Sequence, residues 1–175
     1  MNSPIVDRKI RFALVGSGRI ANNHFSAIEQ HADRCELVDV CDSNPGALDA
    51  AVKRTGARGY SSLGDLLKST AADAVILTTP SGLHPQQAIE VAATGKHVIT
   101  EKPMATRWQD GLAMVEACDR AGVRLFVVKQ NRRNETLQLL KQAVQEKRFG
   151  RIYNVALNVF WTRPQDYYDS ADWRG

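Results

Sequence analysis

Apolar runs of four to nine residues alternate with amphipathic segments along most of the chain, and the amphipathic segments tend to stop at glycine. The apolar runs occupy 10–15, 37–41, 74–78, 97–100, 123–128 and 152–160. Helical periodicity covers 21–30, 45–55, 85–94, 107–121 and 135–149, and the last four of these segments lead into Gly56, Gly95, Gly122 and Gly150. Glycine adopts the left-handed conformation past a helix end without steric cost. Asn44-Pro45 reads as a cap before a first-turn proline. Thr106 to Gln109 reads as a capping box. Trp108, Leu112, Val115 and Cys118 step along one helical face and predict its burial, as do Leu137, Leu140 and Val144.

This alternation predicts a parallel sheet with helices on both faces, an α/β doubly wound fold. The unbroken apolar runs 75–77 and 125–128 suit strands buried on both sides. The run 152–160 differs. Tyr153, Val155, Leu157, Val159 and Trp161 form one wholly apolar face, which predicts a long strand packed on that side. Residues 1–127 then read as one closed unit and 128–175 as the beginning of a second.

Composition limits the function classes. Of 175 residues, 43% are hydrophobic and 24% charged, enough to build a core, so disorder is excluded. No run approaches the roughly 18 apolar residues of a spanning helix, and residues 1–11 hold no signal-peptide core. The three cysteines are an odd number without metal spacing, which predicts reduced thiols, no metal and a cytoplasmic protein. A net charge of +4 suits an anionic small ligand. Lys and Arg are interspersed with Asp and Glu, the one tight pair being Arg132-Arg133, which argues against nucleic acid as a partner.

Three motifs carry chemistry. Gly16-Ser17-Gly18-Arg19-Ile20-Ala21 follows the first apolar run and opens a helix. In that context Gly16 makes a tight turn, Gly18 lets the backbone approach a pyrophosphate, and Ala21 allows close helix–strand packing. Arg19 and Ile20 then lie at the helix N-terminus, where free N–H groups hold the anion. Asp42 ends the second run 21 positions after Ala21, where an acid binds the adenosine ribose hydroxyls. Ser43 follows it rather than a basic residue, so NAD is favoured over NADP. A helix cap ahead of Asn44-Pro45 is the alternative role for Asp42.

The second motif, Thr78-Thr79-Pro80-Ser81-Gly82-Leu83-His84, follows a strand, and ligands of open parallel sheets sit beyond carboxyl ends of strands. Thr79 and His84 are therefore candidates to line a cofactor, the alternative for His84 being a helix-start residue packed on its loop. The third motif, Thr100-Glu101-Lys102-Pro103, closes the next strand. Lys102 can share the proton of a substrate hydroxyl as hydride leaves; a surface ion pair with Glu101 is the alternative.

In that order and spacing the three motifs resemble the Gfo/Idh/MocA oxidoreductases. The resemblance implies a Rossmann dinucleotide-binding domain, Lys102 as the catalytic lysine, Glu101 and Thr79 against the nicotinamide ribose, and a cis bond before Pro103. It implies that the segment 127–133 borders the active site, with Gln130 beside the cofactor and Asn131 beside the substrate. The tail from Trp161 through Tyr167-Tyr168 to Trp173-Arg174-Gly175 is similar to the branch that oxidises C3 of a UDP-N-acetyl-glucosaminuronate with NAD in lipopolysaccharide biosynthesis. That likeness points to Arg163, Tyr167 and Tyr168 as substrate contacts. Another sugar or inositol dehydrogenase, and a non-catalytic dinucleotide module, remain alternatives. Members of the family are about twice as long, are expected to be homo-oligomers, and carry an Asp-or-Asn-x-x-x-His motif that this sequence lacks. The expectation is thus a fragment that binds NAD and turns over little by itself.

Overall fold

The structure is a computed structural model that describes residues 5–170, so Trp173-Arg174-Gly175 lies outside the described residues. The chain forms two compact units, the first ending at Val128 and the second beginning at Lys129.

The first unit is β1 (Ile10–Val15), α1 (Ala21–Gln30), β2 (Cys35–Cys41), α2 (Pro45–Thr55), β3 (Arg58–Tyr60), α3 (Leu63–Ser69), β4 (Ala74–Leu77), α4 (His84–Ala93), β5 (His97–Thr100), α5 (Trp108–Arg120) and β6 (Leu125–Val127). All six strands are parallel, in the order β3-β2-β1-β4-β5-β6. The runs 12–15 and 74–77 are unbroken because successive side chains of these central strands serve opposite layers. Ala13 and Val15 join Leu66, Val91 and Met114 in the layer of α3, α4 and α5. Leu14 joins Phe25 and Ala51 in the layer of α1 and α2. Leu14, Leu66 and Leu77 are fully buried, each contributing roughly 1.5–3 kcal/mol. Strand order reverses between β1 and β4, and the crevice beyond their carboxyl ends is where such sheets take ligands.

Asn44 caps α2 as expected, its Oδ1 accepting from the Ala47 N–H at 3.0 Å. Gly56 ends the same helix at φ 71°. Other expectations are corrected. Periodicity missed β3 and α3, which at three and seven residues are too short to show a period. The capping box does not form: Arg107 is the N-cap of α5, extended at φ −126° and ψ 144°, with no side-chain bond. The buried face of α5 is Met114, Ala117 and Cys118; Trp108 is 77% exposed, and Leu112 and Val115 are exposed beside it. Of the stripe expected to be buried only Cys118 faces the core, joined there by Met114 and Ala117 one step around the helix.

The second unit contains a 3₁₀ turn (Gln130–Arg133), α6 (Glu135–Gln145) and α7 (Gln165–Asp169). Asn134 caps α6 by accepting from the Thr136 N–H. The helix stops at Gln145 rather than at 149, in turns that place Lys147 and Gly150 at positive φ. Leu137, Leu140 and Val144 are exposed rather than buried. The run 152–160 is not a strand among the described residues, and its Tyr153, Val155, Leu157 and Val159 are exposed. An extended segment becomes a strand only with a neighbour to exchange hydrogen bonds, and here none is paired with it.

Candidate cofactor and catalytic site

The glycine loop leaves β1 and is fixed from two sides. Gly16 has φ +93°, and a Cβ there would stand 2.7 Å from the Thr79 nitrogen and 2.9 Å from the Thr78 carbonyl carbon. Only glycine allows the loop to lie this close to the β4 end. Thr78 closes the contact, its hydroxyl donating to the Val15 and Gly16 carbonyls at 3.0 and 2.6 Å. Asp42, beyond β2, accepts from the Ser17 N–H at 2.6 Å through one oxygen and from the Asn44 N–H at 2.8 Å through the other. It therefore ties the loop to β2 and leads α2, which is the cap-like role weighed against ribose binding; its remaining lone pairs leave both roles open.

Beyond Gly18 the loop is open. Among the described residues no atom beyond its chain neighbours lies within 4 Å of a Cβ built at Gly18. Arg19 and Ile20 are exposed, and among the described residues no side chain caps the α1 N-terminus. The Ser17 hydroxyl is buried with no partner among the described residues. An uncapped helix start, an open face at Gly18 and an orphaned hydroxyl suit a phosphate-bearing ligand, so the residues present fit a dinucleotide.

The ends of β4 and β5 supply the other wall. The Thr79 hydroxyl donates to Gln87 Oε1 at 2.5 Å. His84 is 1% exposed, with Nε2 2.8 Å from the Thr79 carbonyl oxygen and Nδ1 3.0 Å from that of Pro103. Each ring nitrogen faces a loop carbonyl, so His84 braces the loops of Thr79 and Pro103, the packed role set beside cofactor contact. The Lys102–Pro103 bond is cis. Glu101 is 8% exposed; Oε1 lies 3.0 Å from His24 Nε2, and Oε2 accepts from the Lys102 N–H at 3.2 Å. Burial pushes the Glu101 carboxyl up, and the hydrogen bonds from His24 and the Lys102 N–H outweigh it, holding the group below the usual carboxylate range. Lys102 is exposed, and its ammonium forms no ion pair among the described residues. The surface pair with Glu101 is thereby replaced by a Glu101–His24 pair. Burial pushes the Cys41 thiol up to about 11, with Asp42 adding to the effect, so the cysteine beneath the site is inert at neutral pH.

Ser17, His24 and Thr78 were not singled out by sequence reasoning. His24 lies three residues past Ala21 in the first turn of α1, a place one helical turn from the glycine loop. That spacing was the available signal.

Gln130, Asn131, Arg163, Tyr167 and Tyr168 belong to the second unit. Gln130 and Asn131 are exposed in the 3₁₀ turn. The Arg163 guanidinium lies over the Trp161 ring at 4.2 Å and the Tyr167 ring at 4.8 Å, and Tyr168 meets Tyr167 edge-on at 5.4 Å. Stacking of this kind presents a planar cation with its donors outward. Among the described residues no group of His, Cys, Asp and Glu is placed to hold a metal, and no helix is long and apolar enough to cross a membrane.

Comparison with known proteins agrees with this geometry. The chain superposes on the WlbA dehydrogenase of Chromobacterium violaceum, solved with NADH and UDP-GlcNAcA, with a TM-score of 0.98 and 72% identity over 100% of this chain and 51% of that one. The Bordetella pertussis WlbA dehydrogenase, also solved with NADH and UDP-GlcNAcA, gives 0.94 and 69% over 96% of this chain and 51% of its own. D-apiose dehydrogenase of Paraburkholderia graminis is 32% identical over 89% of this chain and 40% of its own length. The chain thus spans about half the length of the solved structures it matches. A family profile described as "Oxidoreductase family, NAD-binding Rossmann fold" matches residues 10–129, the whole sheet and its loops, and the chain belongs to this Gfo/Idh/MocA family.

Proposed function

We propose that the chain is the NAD-binding portion of a dehydrogenase that oxidises the C3 hydroxyl of a UDP-N-acetyl-glucosaminuronate-type sugar nucleotide. The observation that carries this reading is the 72% identity over the full chain to a dehydrogenase solved with NADH and UDP-GlcNAcA. NAD, when bound, supplies the hydride acceptor. The loop from Gly16 to Ala21 and the α1 N-terminus hold its pyrophosphate, and Asp42 takes the adenosine ribose hydroxyls. Thr79 and Glu101 stand on the nicotinamide side.

Lys102 receives the proton of the reacting hydroxyl at Nζ. Its exposure at the end of β5, with no ion pair to its ammonium among the described residues, supports this role. Residues 1–127 form the dinucleotide domain and 128–175 begin a substrate domain, where Asn131, Arg163, Tyr167 and Tyr168 meet uronate or diphosphate. The exposed apolar side chains of α6 and of 152–161 support an intact protein that buries them on association. The substrate chemistry belongs to lipopolysaccharide precursors, and the protein works in the cytoplasm.

The test is Lys102→Met in the intact protein, assayed by NADH formation with UDP-GlcNAcA. Turnover falls by at least about 10³-fold, the scale of a lost acid–base group, while NADH still titrates with wild-type affinity. Retention of turnover refutes the role of Lys102, and failure of wild type to reduce NAD with UDP-GlcNAcA refutes the substrate.

A further inference from the structure

Glu101 and Lys102 are sequence neighbours of opposite charge at the end of β5, and the simplest arrangement would pair them. The structure does something else. The Glu101 carboxylate turns to His24 on α1, 77 residues earlier in the chain, with Nε2 and Oε1 3.0 Å apart. Both side chains are largely buried, at 15% and 11% exposure. The second carboxylate oxygen is held by the Lys102 backbone N–H rather than by its ammonium. His24 thus occupies the acceptor that the Lys102 side chain would otherwise take.

We propose that His24 is a positioning residue that sequesters the Glu101 carboxylate and so keeps the Lys102 amine unpaired for proton transfer. This deepens the function proposed above and depends on it for the role of Lys102. The titratable groups acting on Glu101 are His24 from α1 and Lys102 from its own segment. His84, from α4, is spent on the Thr79 and Pro103 carbonyls. Without His24 the carboxylate is a buried acceptor lacking its donor, and Lys102 is the remaining basic group that acts on it. An opposite charge within about 4–6 Å stabilises the charged form by one to three pKa units. The same pair links the catalytic lysine to the helix whose N-terminus faces the pyrophosphate, so both halves of the site share one buried contact.

The experiment is competitive labelling of the purified chain with acetic anhydride at neutral pH, with the rate at Lys102 read by mass spectrometry. Only the unprotonated amine reacts, so the rate reports how firmly Lys102 is held charged. It needs neither NAD nor substrate, so its failure is distinct from failure of the proposed activity. In His24→Leu, labelling of Lys102 slows about tenfold or more, one unit of stabilisation being a tenfold loss of free amine. His24→Gln, whose amide donates to the same carboxylate, labels within about twofold of wild type. His24→Leu combined with Glu101→Gln recovers the rate, because the competing charge is gone. A wild-type rate in His24→Leu overturns the proposal. So does a slow rate that Glu101→Gln fails to restore, and so does a fold lost in His24→Leu and not regained in the double variant, since each makes His24 a structural residue only.

Discussion

Two glycines two residues apart carry different burdens, and exchanging each for alanine separates them. At Gly16 a methyl meets backbone, 2.7 Å from the Thr79 nitrogen and 2.9 Å from the Thr78 carbonyl carbon, with φ at +93°. Backbone of a buried strand end cannot swing aside as a side chain would. Holding alanine at this φ costs about 1–3 kcal/mol, and the overpacking adds about 1–3 kcal/mol. The sum is about 2–6 kcal/mol. For a domain of this size that lowers the melting temperature by roughly 10 °C, at about 2–4 °C per kcal/mol. At Gly18 a methyl meets nothing within 4 Å. Gly18→Ala should therefore change stability by no more than about 0.5 kcal/mol. On the proposed reading the same methyl enters the pyrophosphate space, so NADH affinity falls at least about tenfold, or about 1.4 kcal/mol. Thermal unfolding without ligand and NADH fluorescence titration, run on both variants, read the two effects. A Gly16→Ala chain that melts with wild type refutes the close-approach argument. A Gly18→Ala chain that binds NADH undiminished refutes the assignment of the open face to cofactor.

Asp42→Ala should act on selectivity and on the loop together: preference for NADH over NADPH falls about tenfold or more, and the Ser17 and Asn44 N–H groups lose their acceptor, costing about 1–2 kcal/mol. Titration with both cofactors checks it, and an unchanged preference leaves Asp42 as a loop tie alone. Glu101 gives a pH signature. Its carboxyl is held below the ordinary value, so the stability it contributes is fully present above about pH 4.5 and is lost as pH falls through the depressed value. Glu101→Gln should flatten the acid limb of the urea midpoint against pH in that window, and parallel curves for variant and wild type would contradict the pairing with His24.

The legible part of the molecule was the part written in local pattern. Asn44 and Gly56 bound α2 because a cap and a left-handed stop are chosen residue by residue. The run His97–Thr100 is β5 to the residue, a short stretch centred on Val98 and Ile99 just past the left-handed Gly95. β3 and α3 were not legible, being held by neighbours rather than by period: Arg58 leans on the buried Asp39 at 2.9 Å, and Asp39 also takes the Thr70 hydroxyl. Trp108 shows how periodicity can find a helix and still choose the wrong face. The run 152–160 shows that an alternating pattern specifies a strand only where a partner supplies hydrogen bonds. In the site, the motifs named the residues but not their partners. Sequence adjacency offers Glu101 to Lys102 as an ion-pair alternative, and the fold gives it to His24; His84, a candidate cofactor contact, also packs against two loop carbonyls.

The strand order has a consequence for a chain emerging from the ribosome. β1 is central, yet one of its neighbours, β4, is encoded some sixty residues later, with Phe12 facing Ala74. Until β4 arrives, a nascent β1 has β2 on one flank and an open, apolar flank on the other. The glycine loop is synthesised early but lacks Thr78 and Thr79, the groups that fix its shape. Glu101, which locks α1 to the far half, arrives later still. Competence to hold a dinucleotide therefore waits on the second half of the sheet, and the growing chain carries an unprotected strand edge through the interval.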